Sequence, residues 1–135
     1  MSIKKSSIFV VAIVLIITLI QVFSSGGNTM QLDMGTDSMS FSGIDDFRYE
    51  VAYADMAAAE LIEVSDWAPY GGHEFGPFRV GDVTSPDGTS YILFVTTRAD
   101  NAIVITLTDS RQVIFNYNSN GNTEGIYNML LNNIN

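Results

Sequence analysis

The side chains best suited to acid-base or metal chemistry are His73 and Glu74, which are neighbours in a glycine-rich stretch. An imidazole and a carboxylate together can hold a metal ion or move a proton. Adjacent residues of an extended segment point to opposite faces, so any further ligand would come from elsewhere in the chain. We therefore interpret His73, the only histidine, as an exposed loop residue. The candidates for a second ligand are Asp45, Asp46, Asp66 and Asp82.

A second group of possible metal ligands lies around the first turns. Asp33, Asp37, Asp45 and Asp46 are acidic, but they lack the fixed spacing of a calcium-binding loop. Carboxylates at such positions commonly cap turns. We expect turn formation, and we predict no metal site and no cofactor.

The supply of catalytic side chains is small. The chain has no cysteine, and its two lysines are Lys4 and Lys5. It contains neither a Gly-x-Ser-x-Gly nucleophile motif nor a glycine-rich phosphate loop. We predict that the protein is not an enzyme, and a hydrolase is the weakest of the alternatives.

Aromatic residues are concentrated in the glycine-rich stretch, residues 67–81, which also has two prolines. Aromatic side chains in such loops are common at binding sites. We predict a surface for a protein or peptide partner here. The alternative for the phenylalanines is that they cover the mouth of a barrel. The predicted binding residues are Trp67, Tyr70, His73, Phe75 and Phe78.

The elements that would position this loop follow from apolar periodicity. Three β-rich runs, 91–97, 102–108 and 111–117, are separated by short polar turns, which predicts a β-meander. An amphipathic helix should follow. Residues 121–123 have turn and cap composition, and the apolar face of the helix consists of Ile126, Met129, Leu130 and Ile134.

The region before the meander also predicts strands. Residues 30–34 and 38–41 should form a first hairpin, followed by a turn at 43–46. Residues 47–53 should place alternate aromatic and apolar side chains on one face. We expect a short turn and a strand within 54–64, a long loop or bulged strand pair within 67–83, and a turn at 85–88.

The N-terminal residues have the pattern of a membrane-spanning helix. Lys4 and Lys5 precede residues 8–23, which are apolar except for Thr18 and Gln21. With the flanking serines such a helix is about 30 Å long, the thickness of the hydrocarbon core. We expect an uncleaved anchor. The alternative is a signal peptide cut after residues 22–24, which form a poor cleavage site.

Charge predicts the orientation of this anchor. The two lysines precede it, so the N-terminus should be cytoplasmic and the domain extracytoplasmic. Residues 1–27 are then a stub, anchor and short linker, and residues 28–135 are the exported domain. Four arginines and fifteen carboxylates give that domain a formal charge of −11. Such a charge repels nucleic acid and anionic headgroups.

The order of elements, about seven strands and a terminal helix, resembles that of bacterial pleckstrin-homology-like (PH-like) domains on membrane-anchored proteins. The resemblance implies a mainly β fold in which a bent antiparallel sheet forms an open barrel capped by the C-terminal helix. A lipocalin-like barrel or a small sandwich is the alternative. The matching parts are residues 49–56, 72–81, 88–96 and 102–108, and the last strand with residues 118–123.

The resemblance implies a binding module. Phosphoinositide-binding relatives use basic residues around the first hairpin, whereas that turn is acidic here, at residues 33–37, so we expect no phosphoinositide binding. We predict a non-enzymatic, membrane-anchored interaction module on the outer side of a bacterial cytoplasmic membrane. Its partner would be a protein or peptide, reached through a sheet edge or the aromatic loop. The alternative is an exported barrel that holds a small apolar ligand.

Overall fold

The computed structural model describes residues 23–25 and 28–134. These residues form ten strands, two short 3₁₀ turns and one helix, and the prediction of a mainly β protein with a C-terminal helix is confirmed. The elements are β1 (Phe23–Ser25), β2 (Asn28–Met34), β3 (Ser38–Ile44), β4 (Phe47–Ala52), β5 (Met56–Glu63), β6 (His73–Phe75), β7 (Phe78–Thr84), β8 (Ser90–Thr96), β9 (Asn101–Leu107), β10 (Gln112–Phe115) and α1 (Asn120–Ile134).

Strands β1 to β4 form an antiparallel sheet in sequence order, which we call the small sheet. The predicted first hairpin is confirmed as β2 and β3, and the predicted turn after it joins β3 to β4. Alternation decides which face is buried: Leu32, Met34 and Phe41 point into the molecule, whereas Gln31 and Asp33 point outward. The small sheet thus contributes one apolar face to the interior.

The other six strands form the large sheet, in the order β5-β9-β10-β8-β7-β6. The predicted β-meander is wrong, because β10 lies between β8 and β9 and runs parallel to β8. The large sheet is therefore mixed, not purely antiparallel. Strands two places apart are about 9 to 10 Å from each other, a gap that the four residues 97–100 can cross.

A buried amide holds this inserted strand. Asn116, just after β10, is 1% exposed. Its Oδ1 accepts a hydrogen bond from the backbone N–H of Thr96 at 2.7 Å, and its Nδ2 donates to the carbonyl oxygens of Thr96 at 3.0 Å and Asn101 at 3.1 Å. The side chain of Asn116 thereby connects the end of β8 with the start of β9 by hydrogen bonds, and these two strands lie on either side of β10.

The main core lies between the small sheet and one face of the large sheet. Phe41 of the small sheet contacts the rings of Phe94 at 5.2 Å and Phe115 at 4.9 Å, measured between ring centroids. Helix α1 covers another part of the same core with Ile126 and Leu130, which are fully buried. The predicted apolar face of the helix is confirmed.

The start of the helix differs from the prediction. Ser119 is its N-cap: the Ser119 Oγ accepts a hydrogen bond from Asn122 N at 3.2 Å, and its carbonyl accepts one from Thr123 N at 3.0 Å. Thr123 is buried instead, and its hydroxyl accepts a hydrogen bond from Tyr117 N at 3.0 Å. The sequence 121–123 therefore forms the first turn, after the cap.

At the N-terminus, the expected helix does not continue through Ser25. Residues Phe23–Ser25 form β1 and pair with β2, so this part of the predicted anchor and linker is a strand. The rest of the predicted span, 8–22, lies outside the described residues. Within the part of the chain that the structure describes, no helix has the length and apolar character needed to cross a bilayer.

Candidate functional site

The first part of the predicted aromatic loop crosses the outer face of the large sheet, the face turned away from the main core. We call residues 64–72 the crossing segment. Its Trp67 is 5% exposed and packs with Leu93 and Val95 in a second, smaller core. The rings of Trp67 and Tyr70 are 5.1 Å apart. Within the described residues the indole Nε1 of Trp67 has no hydrogen-bond acceptor. Trp67 therefore fills the space between the crossing segment and the sheet, and Tyr70 is half-exposed.

Contacts with β7 and β8 fix the position of the crossing segment. The hydroxyl of Tyr91 donates a hydrogen bond to the carbonyl of Tyr70, and Arg79 Nη1 donates to the carbonyl of Gly71 at 3.0 Å. Gly72 has a φ of 79°. A Cβ there would lie 3.0 Å from Leu93 Cδ2 and 3.1 Å from the Val80 carbonyl oxygen. Glycine is needed at this point because the chain approaches the sheet too closely for a side chain.

The structure does not bring the five predicted binding residues together. Phe75 and Phe78 face each other across the β6–β7 hairpin and belong to the main core, with Phe78 fully buried. His73 is exposed, on the opposite strand face from Glu74. Glu74 forms an ion pair with Arg79. Tyr70 lines an open surface pocket.

The carboxylates considered as metal ligands are dispersed. Asp45 and Asp46 occupy the β3–β4 turn, both with positive φ. Asp66 accepts a hydrogen bond at 3.0 Å from the backbone N–H of Ala68, the first residue of the 3₁₀ turn Ala68–Tyr70 in the crossing segment. Among residues 23–25 and 28–134, no three histidine or carboxylate side chains meet in an arrangement that could hold a metal ion.

The pocket beside Tyr70 is the best candidate site, and we call it the outer groove. It has a volume of about 540 Å³ and lies at the end of the outer face where β8 and β10 begin. Aromatic and apolar side chains make its base, and polar groups of the β7–β8 turn make one rim. Its lining residues are Pro69, Tyr70, Ser85, Asp87, Thr89, Tyr91, Gln112 and Ile114.

The rim carries a fixed negative charge. Asp87 Oδ1 accepts hydrogen bonds from the Ser85 hydroxyl and from Thr89 N, the latter at 3.0 Å. These hydrogen bonds, led by that of Ser85, lower the pKa of Asp87 below its ordinary value. The turn itself was predicted, and it closes with a hydrogen bond from Gly88 N to the Ser85 carbonyl at 2.9 Å. The carboxylate is therefore ionised and held in place at neutral pH.

The base of the groove is apolar. Tyr91 is 9% exposed and Ile114 is 5% exposed, so both present edges of buried side chains. Burial, followed by the neighbouring Tyr70, raises the pKa of Tyr91, and its hydroxyl stays protonated and keeps its bond to the crossing segment. The groove combines an aromatic wall, an apolar base and one carboxylate, which suits recognition better than bond-breaking chemistry.

Two other surface depressions are less suited to recognition of a partner. One lies on the outer face of the small sheet; its lining, which includes Asp33, Arg48 and Glu50, contains no aromatic ring. Another separates β4 from the β9–β10 turn, where Arg111 is already paired with Asp109 at 2.8 Å. The second depression also has a half-exposed tyrosine, Tyr49, but charged side chains make up much of its lining: Glu50, Asp55, Asp109 and Arg111.

The sequence predicted Tyr70 as a binding residue and residues 85–88 as a turn, but it did not predict that the two lie close together. Tyr91, Gln112 and Ile114 come from strands whose order was predicted incorrectly. One feature of the sequence could have indicated the outer core: the unbroken apolar run of β8, which is typical of a strand covered on both faces. No family model, curated protein or solved structure matches the chain.

Proposed function

We propose that this protein is a non-enzymatic interaction module that binds a protein or peptide partner in the outer groove. The observation that carries the proposal is the groove itself, an open pocket with an aromatic wall and a single carboxylate. Clefts that combine aromatic and apolar side chains with a few placed polar groups are typical recognition sites.

The groove is preorganised, which favours binding. The crossing segment is held by Tyr91 and Arg79, and the rim by hydrogen bonds within the 85–89 turn. A partner would therefore meet side chains that need little ordering, and less binding free energy is lost to conformational entropy. This rigidity supports a docking surface rather than a mobile lid.

We further propose that the module is anchored on the outer side of a bacterial cytoplasmic membrane. The support is the sequence: an apolar run at residues 8–23 follows two lysines, and the carboxylates all come after it. A PH-like relationship remains part of this proposal. It is supported by two sheets and a C-terminal helix that covers the core, while the parallel β8–β10 pair departs from the expected antiparallel sheet.

The alternative of a barrel with an apolar ligand inside receives less support. Between the two sheets, Phe41, Phe94 and Phe115 are at most 1% exposed and their rings are in contact. Side chains of this size fill the interior that a ligand would need. The hydrolase alternative also receives less support, since its best candidate pair, His73 and Glu74, faces apart.

Site-specific photocrosslinking in cells of the source organism tests the proposed function. A photoreactive amino acid replaces Gln112 at the groove in the full-length protein, and Asn132 on the exposed side of α1 in a matched control. We expect a discrete crosslinked protein from position 112 that is absent from position 132. The same crosslink should disappear when Tyr70 is changed to Ala.

A second control separates loss of the surface from loss of the fold. Tyr127→Ala removes a half-buried tyrosine from α1, far from the outer groove, and should leave the crosslink intact. Equal crosslinking from both photoreactive positions, or none from position 112 in cells that express the protein normally, would show that the groove is not a partner surface.

A further inference from the structure

We propose that the outer groove recognises a lysine or arginine side chain of the partner, with its cationic head group between the Tyr70 ring and the Asp87 carboxylate. This inference rests on the proposed function and names the chemistry of the partner. It commits to a basic residue within a protein or peptide, not to a free cation or a lipid headgroup.

The aromatic wall suits a cation. Tyr70 is half-exposed, so its ring is accessible, while Tyr91 lies beneath it and donates a hydrogen bond from its hydroxyl to the Tyr70 carbonyl. A tyrosine ring attracts a nearby ammonium or guanidinium through the negative face of its π system. Since Tyr91 and Arg79 fix the backbone at residues 70 and 71, the ring has a defined place beside the groove.

The rim provides the complementary charge. Asp87 is exposed, and two hydrogen bonds from its own turn orient its carboxylate. Arg79 pairs with Glu74 and Arg111 pairs with Asp109, whereas the charged form of Asp87 is stabilised by its hydrogen bonds with Ser85 and Thr89. A partner's basic group would therefore find a carboxylate that is oriented without being paired to either of these arginines.

The apolar base suits the remainder of the same side chain. Lysine and arginine cover apolar surface with their methylene groups and keep the charged end in a polar setting. Ile114 and Pro69 offer such a surface within the groove, and Thr89 and Gln112 provide polar groups at its edge. One long basic side chain thus matches the base, the wall and the rim together.

The charge of the whole domain acts in the same direction. The part after the apolar run has four arginines against fifteen carboxylates. A negative field of this kind raises the association rate of basic partners and lowers that of acidic ones. The field alone would select any cation, whereas the groove selects a side chain with an apolar stem.

The test uses two capped tripeptides, acetyl-Ala-Arg-Ala-amide and its citrulline counterpart, which is nearly the same shape but uncharged. Each is titrated into the full-length protein in detergent micelles, with isoleucine methyl groups labelled for NMR. We expect the Ile114 methyl signal to shift saturably with the arginine peptide and to move much less with the citrulline peptide. An Ile114→Val variant assigns that signal.

Two substitutions locate the interaction. Tyr70→Ala and Asp87→Asn should each weaken binding of the arginine peptide about two- to fivefold, the range expected for one exposed cation–π contact or ion pair. Asn at position 87 retains an oxygen for the turn hydrogen bonds, so its effect reports charge. Glu124→Gln, an equal change of charge on the exposed face of α1, should leave the affinity unchanged.

The result that would overturn the inference is equal binding of both peptides, or no change at Ile114 with either. Equal weakening by Asp87→Asn and Glu124→Gln would also overturn it, because the general field and not the groove would then be responsible. These results are distinguishable from failure of the proposed function: crosslinking from position 112 could persist, which would mean a partner without a basic anchor.

Discussion

Tyr53 shows how the fold changes the chemistry of a single side chain. It follows β4, is 7% exposed, and donates a hydrogen bond from its hydroxyl to the carbonyl of Gly35 at 2.9 Å. Burial, followed by the nearby carboxylates of Asp33 and Asp37, raises its pKa to about 12. Both causes disfavour the phenolate, so the folded protein keeps this proton more tightly than the unfolded chain does.

This shift predicts a loss of stability at alkaline pH. A raised pKa contributes stability that is complete below the unfolded value of about 10 and is lost as the pH rises through the folded value. Between about pH 9 and pH 11 the wild type should lose about 1 kcal/mol more than Tyr53→Phe, which has no proton to release. Urea unfolding of both proteins at the two pH values measures this. Parallel losses in the two proteins would show that Tyr53 is not responsible.

At the scale of elements, the decisive feature is the insertion of β10 between β8 and β9. The strand is short, Gln112–Phe115, and its central residues are buried on both faces. Its position depends on the amide of Asn116, which satisfies the backbone of both neighbouring segments. Without that amide, the buried N–H and carbonyl of Thr96 and the part-buried carbonyl of Asn101 would lose these hydrogen bonds, at a cost of about 1 to 3 kcal/mol for each buried group left unsatisfied.

Asn116→Ala should therefore lower the free energy of unfolding by about 3 kcal/mol. Asn118→Ala is the matched control. It removes an amide two residues away that accepts an exposed hydrogen bond from Asn122 at 2.6 Å, and it should cost less than about 1 kcal/mol. Urea unfolding of the full chain in non-ionic detergent compares the two. A similar small effect of both substitutions would mean that β10 is held by its strand pairing alone.

At the scale of the whole molecule, the large sheet separates two cores. The main core lies on one face against the small sheet and α1, and the smaller core with Trp67 lies on the other face beneath the crossing segment. Both cores use alternate residues of the same strands: Phe94 points into the first and Leu93 into the second. Loss of one core should consequently destabilise the sheet on which the other depends.

Phe41→Ala tests this coupling. The substitution removes a fully buried ring from the main core and should cost about 3 to 5 kcal/mol. The fluorescence of Trp67, the single tryptophan, reports the opposite core. We expect its urea transition to move to lower concentration together with the far-ultraviolet circular dichroism transition. Phe47→Ala, which truncates a half-buried ring, should give a smaller common shift. An unchanged tryptophan transition in Phe41→Ala would show that the two cores unfold independently.

The sequence predicted the local elements well because their signals are local. Alternation in residues 47–53 matches β4 and the residue after it, and the apolar spacing after residue 123 matches α1. The composition of 85–88 matches a turn closed by its own backbone hydrogen bond. Each of these patterns is set by the geometry of a few consecutive residues, and the surroundings need only accept the apolar face.

Tertiary structure alone decided the order of the strands and which aromatic residues of the stretch 67–81 pack in which core. Backbone hydrogen bonding does not distinguish one neighbouring strand from another, so the place of β10 depends on burial on both faces and on the contacts of Asn116. The same long-range packing sent Phe78 to the main core and Trp67 to the outer one. The outer groove, where Tyr70 meets Asp87 and Ile114, exists because separate segments converge there.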